Sequence, residues 1–294
     1  LFSLGEHPIW FDLEVPTRTF ASYGAMLDTL EPLDAIKVAT WWNTAAPVWL
    51  ASIRRGVPVF LVQDFETSYY PDSVDMRNHV LAAYRPEFHY MTISAWNRDR
   101  LRELGLDAAL VPPGLDLETF RPLPVERRRD MLLALGRTLD AWTALGPDQR
   151  PELCLFGIEP ELGPRIGARY VESPSDAGVN QLLNEATVFL QTSTHEGFCL
   201  PPLEAMATGG AVVCTDAHGN RDFCVDGVNC LMPEPTIESV AAAVSRLLGD
   251  PGLRDRLGRA GLETAAHYAW EHRIDQLEGF LDDVAERRSA ALRV

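Results

Sequence analysis

The chain has 294 residues, 46% hydrophobic and 23% charged, which is enough for one large or two medium globular domains with a sizeable core. Its formal net charge is −16, from 26 basic and 42 acidic residues. That balance argues against a nucleic-acid binder, which needs a basic footprint, and weakens any docking to anionic lipid by a polybasic surface.

Short apolar runs alternate with helical patterns along the whole chain, which is the α/β signature. In the first part, "AIKVA" (35–39), "PVFLVQ" (58–63), "YMTIS" (90–94) and "AALVP" (108–112) read as buried strands. Helices are expected near 44–55, 73–84 and 96–105, the last stopped by Gly105. The opening "LFSLGE" is a strand-like scrap with no preceding glycine-rich turn, so the first half is expected to be incomplete at its start. Residues 112–130, rich in proline and ending in charge, read as a linker. A second strand series follows in "MLLALG" (131–136), "ELCLFG" (152–157), "ATVFLQTS" (186–193), "AVVCTD" (211–216) and "VNCLM" (228–232). Helices are expected near 177–185, 201–208, 236–248 and 252–267, with a polar amphipathic helix near 270–288. The strand at 133 passes into a helix by 142 with almost no connection, shorter than the usual ~2–6 residues, which points to a seam with residues missing at Arg137–Leu139. The expected division is 1–122, 123–268 and a C-terminal helical segment 269–294.

Three composition details narrow the chemistry. Lys37 is the only lysine, which excludes a Walker phosphate loop or a Schiff base elsewhere. The five cysteines are odd in number and contain no C-x-x-C pair, so neither a disulfide framework nor a zinc site is indicated and a reducing compartment is expected. No apolar run approaches the ~20 residues of a membrane span, and no signal peptide is visible, although the chain opens at Leu1 without methionine. The expected location is cytoplasmic, with peripheral association at the inner membrane face as an extension of that reading.

The most informative stretch is "HEGFCLPPLEA" (195–205). It lies between a strand and a helix whose first turn holds Pro201 and Pro202, where a missing N–H costs nothing. A loop at the carboxyl end of a parallel strand, leading to a helix N-terminus, is where α/β sheets bind ligands and where anions are favoured. Glu196 and Glu204 flank that anion site. Carboxylates only accept hydrogen bonds, so they suit neutral hydroxyls: a sugar on one side and a ribose diol on the other. Glu204 is expected in the first helical turn, where the dipole favours its charge.

Glu196 and Glu204 form the E-x7-E motif, and "EGFCLPPLEAMATGGAVVCTDAHGNRDFCVDGVNCLM" resembles the retaining glycosyltransferases of family 4 with the GT-B fold. "ISAWNRDRLRELGLDAALVPPGLDLETFRP" (93–122), "LALGR" (133–137) and "CLFG" (154–157) resemble further segments of that family, and the likeness covers roughly residues 90–290. "FLVQDFETSYYP" (60–71) is closer to rhamnosyl- and mannosyltransferases of surface-polysaccharide assembly. The resemblance implies two Rossmann-like domains with parallel sheets facing across a cleft. It implies a donor site made of Gly136, Arg137, Gly157, His195, Glu196, Gly197, Phe198, Cys199, Leu200 and Glu204, with Glu196 and Arg137 carrying the catalytic role. Arg137 matches the family's phosphate-binding arginine. Gln63, Asp64, Trp41 and His218 are expected on the acceptor side. His7 and Glu66 are further acceptor-side candidates.

The implied activity is transfer of a hexose or deoxyhexose, mannose or rhamnose favoured, from a nucleoside-diphosphate sugar to a hydroxyl of a glycan or small molecule, with retention. No D-x-D triplet occurs, so no metal or other cofactor is expected. No nucleic-acid partner is expected, and the oligomeric state is not readable. The family's lysine about five residues after Arg137, and its histidine after the third strand of the first domain, are both absent. These departures keep open an alternative: a catalytically weak, nucleotide-sugar-binding subunit of a glycan-assembly complex. A nucleotide-sugar epimerase on the same architecture would lack this E-x7-E context.

Overall fold

The structure is a computed structural model and describes residues 2–4, 15–128, 131–135, 139–145, 150–157 and 168–291. The chain divides into two compact units, Leu1–Val111 with Gln276–Val294, and Pro112–Asp275.

The first unit contains the two-stranded pair β1 (Phe2–Leu4) and β2 (Arg18–Phe20) and a four-stranded parallel sheet. The sheet strands are β3 (Ile36–Ala39), β4 (Val57–Val62), β5 (His89–Thr92) and β6 (Ala108–Leu110), in that spatial order. Helices α1 (Tyr23–Leu30), α2 (Trp42–Ser52), α3 (Val74–Ala83) and α4 (Ala95–Glu103) make the connections. Three of these helices start on a serine, Ser22, Ser73 or Ser94, whose hydroxyl accepts from the third helical amide. The expected helix at 44–55 begins two residues early, at Trp42, because Thr44 Oγ1 accepts from the amides of Thr40 and Trp41 and fixes the turn there. One face of the sheet packs Phe60 on Tyr84, Phe88 and Tyr90. The other face packs Val57, Val59 and Met91 on Leu277, Phe280 and Val284 of the terminal helix.

Lys37 is buried, and its ammonium donates to the carbonyls of Ala51 and Arg55 at 2.5 and 2.9 Å. The lone lysine therefore ties α2 to the sheet, and desolvation lowers its pKa.

The second unit is a five-stranded parallel sheet of order β11-β10-β7-β8-β9. Its strands are β7 (Met131–Leu135), β8 (Glu152–Gly157), β9 (Arg169–Glu172), β10 (Val188–Gln191) and β11 (Ala211–Cys214). Its helices are α5 (Leu139–Ala144), α6 (Asp176–Glu185), α7 (Leu200–Ala207), α8 (Ile237–Gly249) and α9 (Pro251–Ala266), and α10 (Trp270–Ala291) begins in it. The chain winds outward from β7 through β8 to β9, then returns to lay β10 and β11 on the other side of β7. The order therefore reverses between β7 and β10, and the carboxyl ends of those strands form the crevice where such sheets take ligands. "VNCLM" is not a strand. It makes single bridges, Leu231 to Val213 and Cys230 to Asp226.

Residues 112–128 are held to the second unit by specific polar contacts. Asn180 Oδ1 and Asn184 Oδ1 on α6 accept from the amides of Arg121 and Leu123, at 3.2 and 2.8 Å. Arg127 donates to the carbonyls of Leu183, Ala186 and Thr208 at 2.7–2.8 Å. Leu115 pairs with Ala269, and a side chain at Gly114 would sit 2.3 Å from the Trp270 ring. Composition alone marks this segment as a linker, but its glycine and its unpaired amides are matched to partners far along the chain. The boundaries at Val111/Pro112 and Asp275/Gln276 fall outside this anchored stretch.

Candidate active site

The loop after β10 is built by its neighbours. Thr215, which follows β11, donates its amide to Gln191 O at 3.1 Å and its hydroxyl to Ser193 O at 2.6 Å. The Glu196 amide donates to Ala217 O at 2.9 Å, and the Gly219 amide donates back to Glu196 O at 3.2 Å. Asn220 is fully buried and braces the second strand of this exchange. Its side-chain oxygen accepts from the Ala217 amide at 2.9 Å and its side-chain nitrogen donates to Thr215 O at 2.8 Å. A Cβ on Gly219 would lie 2.4 Å from Gly197 O and 2.5 Å from Phe198 N. Only glycine lets these two turns touch. On the far side, the Phe198 ring packs against Phe223 and Tyr268, with centroids 5.2 and 5.7 Å away.

The loop delivers the chain into α7 in an unusual way. The N-cap residue Cys199 is left-handed, with φ 75° and ψ 69°, and its side chain caps nothing. The amides of Gly197, Phe198 and Cys199 donate to no backbone carbonyl among the described residues. In the same unit, α6, α8 and α9 are closed by the Ser175, Thr236 and Asp250 side chains. The start of α7 is thus left with its positive end and its amides for a ligand. Pro201 and Pro202 occupy the first turn, as the sequence predicts.

Glu196 is half-buried, and Gln191 Nε2 lies 3.4 Å from its Oε1. Glu204 departs from expectation. Helix α7 starts at Leu200, so Glu204 is its fifth residue, beyond the first turn. The dipole therefore does not hold its charge. Burial, with a smaller contribution from Asp176, pushes the Glu204 carboxyl up to about 7. Cys199 is buried, and burial together with Glu196 and Glu204 pushes its thiol upward, so it remains a thiol and not a nucleophile. The rings of His195 and His218 meet edge to face at 5.5 Å, which brings together one histidine expected at the donor and one expected at the acceptor. His218 has φ 69° and ψ −66°, a strained turn conformation, and its amide donates to Asp216. Asp216 in turn accepts three bonds from Arg221 at 2.7–3.0 Å, and Arg221 lowers its pKa.

A cleft of about 180 Å³ opens beside this loop and is lined by Asp140, Thr192, Thr194, Thr215 and Thr236 among others. It sits where β10 and β11 end and α5 and α8 begin, and its hydroxyls suit a polar ligand. Gly157 ends β8 and accepts from the Ser173 amide at 2.8 Å. Gly136 and Arg137 follow β7 directly, but they lie outside the described residues, as does His7.

The acceptor-side candidates Trp41, Gln63 and Asp64 belong to the first unit and cluster at the carboxyl ends of β3 and β4. Gln63 donates to Thr40 O at 3.1 Å, and the Trp41 and Tyr69 rings lie 5.4 Å apart. Trp42 packs in the core beside them, donating from Nε1 to the Tyr70 hydroxyl at 3.2 Å. Asp64 is buried, and its carboxylate accepts from the Phe65 amide. Glu66 is completely buried and is pushed up to about 8, chiefly by burial. Sequence reasoning missed Asn220 and Arg127. Each is a polar residue whose partners are carbonyls and amides distant in sequence, and no local pattern marks them.

Residues 161–264 match the family model described as glycosyl transferases group 1. The O-antigen biosynthesis protein RfbC of Myxococcus xanthus is 27% identical over 284 residues, covering 86% of this chain and 21% of that protein. A GDP-mannose:cellobiosyl-diphosphopolyprenol alpha-mannosyltransferase of Komagataeibacter xylinus is 26% identical over 252 residues, covering 78% of this chain and 56% of that protein. The chain spans only about a fifth to about half the length of these curated relatives. Among solved structures, Anabaena Alr3699/HepE in complex with UDP and glucose superposes with a TM-score of 0.75 at 17% identity, covering 94% of this chain and 86% of that one. Sucrose-phosphate synthase of Thermosynechococcus elongatus gives 0.74 at 20% identity, covering 93% and 81%.

Two predictions follow from the loop and from Glu204. Gly219→Ala should push the 197–198 peptide aside and lower stability by ~1–3 kcal/mol in urea unfolding, whereas Gly227→Ala, where a Cβ meets nothing, should cost only its positive-φ strain. The raised Glu204 carboxyl favours folding while protonated, so its stabilising contribution is full below its ordinary value of 4.5 and is lost as pH rises through about 7. Glu204→Gln should flatten that part of the stability-against-pH curve; an unchanged curve would show that Glu204 is not the group.

With two parallel α/β units and these structural neighbours, the fold is GT-B, and the segment carrying Glu196 and Glu204 is the one that matches glycosyl transferases group 1.

Proposed function

We propose that the chain is a retaining glycosyltransferase that moves a hexose or deoxyhexose from a nucleoside-diphosphate sugar to a hydroxyl acceptor. The observation that carries this reading is the uncapped start of α7, with Glu196 beside it on a doubly braced loop at the switch point of the sheet. The diphosphate is assigned to the amides of residues 197–200 and to Arg137. Glu196 accepts from the donor sugar's hydroxyls, and Glu204 accepts from the ribose. Leaving-group departure builds negative charge on the diphosphate while the sugar becomes oxocarbenium-like. Fixed amides aimed at that charge lower the barrier without reorganising. Retention follows if the acceptor hydroxyl attacks from the leaving-group side and gives its proton to a phosphate oxygen. No protein nucleophile is then needed, in keeping with a Cys199 held as thiol.

Mannose and rhamnose are the favoured sugars. "FLVQDFETSYYP" and the names of the O-antigen and mannosyltransferase relatives support a glycan acceptor. Among the described residues no helix is long and apolar enough to cross a membrane. Catalysis is proposed to need no divalent metal, on the absence of a D-x-D triplet. Location in the cytoplasm or at the inner membrane face belongs to the same reading.

Glu196→Ala should lower kcat on the order of 10²-fold or more while leaving nucleoside-diphosphate affinity nearly intact. Turnover should persist when Mg²⁺ and Mn²⁺ are omitted. Full activity in Glu196→Ala would overturn the assignment, and an absolute need for added Mg²⁺ or Mn²⁺ would overturn the metal-free mechanism.

A further inference from the structure

Three of the five cysteines converge at the end of β11. Cys214 is the last residue of the strand, Cys224 follows the short turn at Gly219–Asp222, and Cys230 lies in the bridged segment that returns to β11. Their sulfurs all lie within 4.8 Å of one another, and Cys214 Sγ is 3.5 Å from Cys224 Sγ. Relative exposures are 0%, 5% and 0%. No histidine or carboxylate joins the cluster among the described residues. The spacing in sequence, C-x9-C-x5-C, belongs to no familiar ligand pattern, which is why no metal site is expected from the sequence alone.

Sulfurs bonded to one ion at ~2.3 Å must lie roughly 3.7–4.0 Å apart, at tetrahedral or trigonal angles. The three sulfurs are already within sub-ångström to ångström shifts of that triangle. A disulfide would draw one pair in to about 2.05 Å and strand the third sulfur. Three thiol ligands in a dry pocket select a soft cation and reject Mg²⁺ or Ca²⁺, which need oxygen ligands.

We infer that Cys214, Cys224 and Cys230 form a binding site for one soft, thiophilic cation, Zn(II) or Cu(I), that clips the 215–230 segment to β11. Each sulfur that coordinates as thiolate releases its proton to solvent, so uptake is accompanied by acid release. The clip lies behind the candidate active site rather than in it. The segment it closes contains Ala217 and Gly219, which hold the Glu196 backbone, and Phe223, which packs on Phe198. Three coordination bonds there would restrain the loop that carries the donor-binding acid. This goes beyond the proposed transfer reaction and does not depend on it.

The test uses the full chain, purified reduced, with one equivalent of Zn(II) or of Cu(I) held in a competing chelator. Native mass and X-ray absorption are then read. The expected result is one ion per chain with three sulfur neighbours for at least one of the two cations. Cys224→Ser and Cys230→Ser should each weaken binding by more than the ~10–100-fold that an outer-shell partner costs, and Cys154→Ser should not weaken it. Failure of both cations to bind, equal binding by Cys224→Ser, or a disulfide within the trio in the isolated protein would overturn the inference. If a serine variant does not fold, the sulfur count on the unaltered chain decides, and fewer than three sulfurs overturns it.

Discussion

The start of α7 sets the terms for everything around it. A helix needs its first amides satisfied, and α1, α3, α4, α6, α8 and α9 meet that need with a serine, threonine or aspartate. Helix α7 instead begins on a left-handed cysteine that caps nothing. A cost of this kind persists only where the surroundings over-determine it. The surroundings here are the Gly219 contact with the 197–198 peptide, the amide exchange between Glu196 and Ala217–Gly219, the Asn220 brace and the Phe198 anchor. The loop is therefore braced from several sides by its own chain, and a held backbone is what fixed donors need to act on developing charge.

The two acids of the motif differ physically. Glu196 lies on the loop within reach of Gln191. Glu204 is inside the second turn of α7, and its carboxyl is pushed up to about 7 by burial. If Glu204 takes the ribose as proposed, hydrogen bonds from the diol would favour its ionised form. In the first unit, Glu66 shows the same burial-driven rise, and there the backbone amide of Trp42, the first residue of α2, offsets part of it.

Much of the second unit was legible in the sequence because its signals are local. Alternating apolar runs gave the strands β7, β8, β10 and β11, and the two prolines marked the start of α7. Helix register was less legible. One residue's difference in the start of α7 moves Glu204 out of the first turn, and only the left-handed Cys199 decides it. Contacts between distant residues could not be read at all. Residues 112–128 look like a linker until Asn180, Asn184 and Arg127 are seen to hold them. Three cysteines without a motif become neighbours only when β11 and its return segment pair. Gly136 and Arg137, assigned to phosphate by resemblance, lie outside the described residues.

The central claim is that a nucleoside diphosphate is held by the amides at the start of α7. Backbone hydrogen exchange, measured with and without UDP or GDP, tests it directly. The account predicts slowed exchange concentrated at residues 196–200 and 203–204, with the loop 215–219 following. Slowing confined to other strand ends, with 196–204 unchanged, would contradict it.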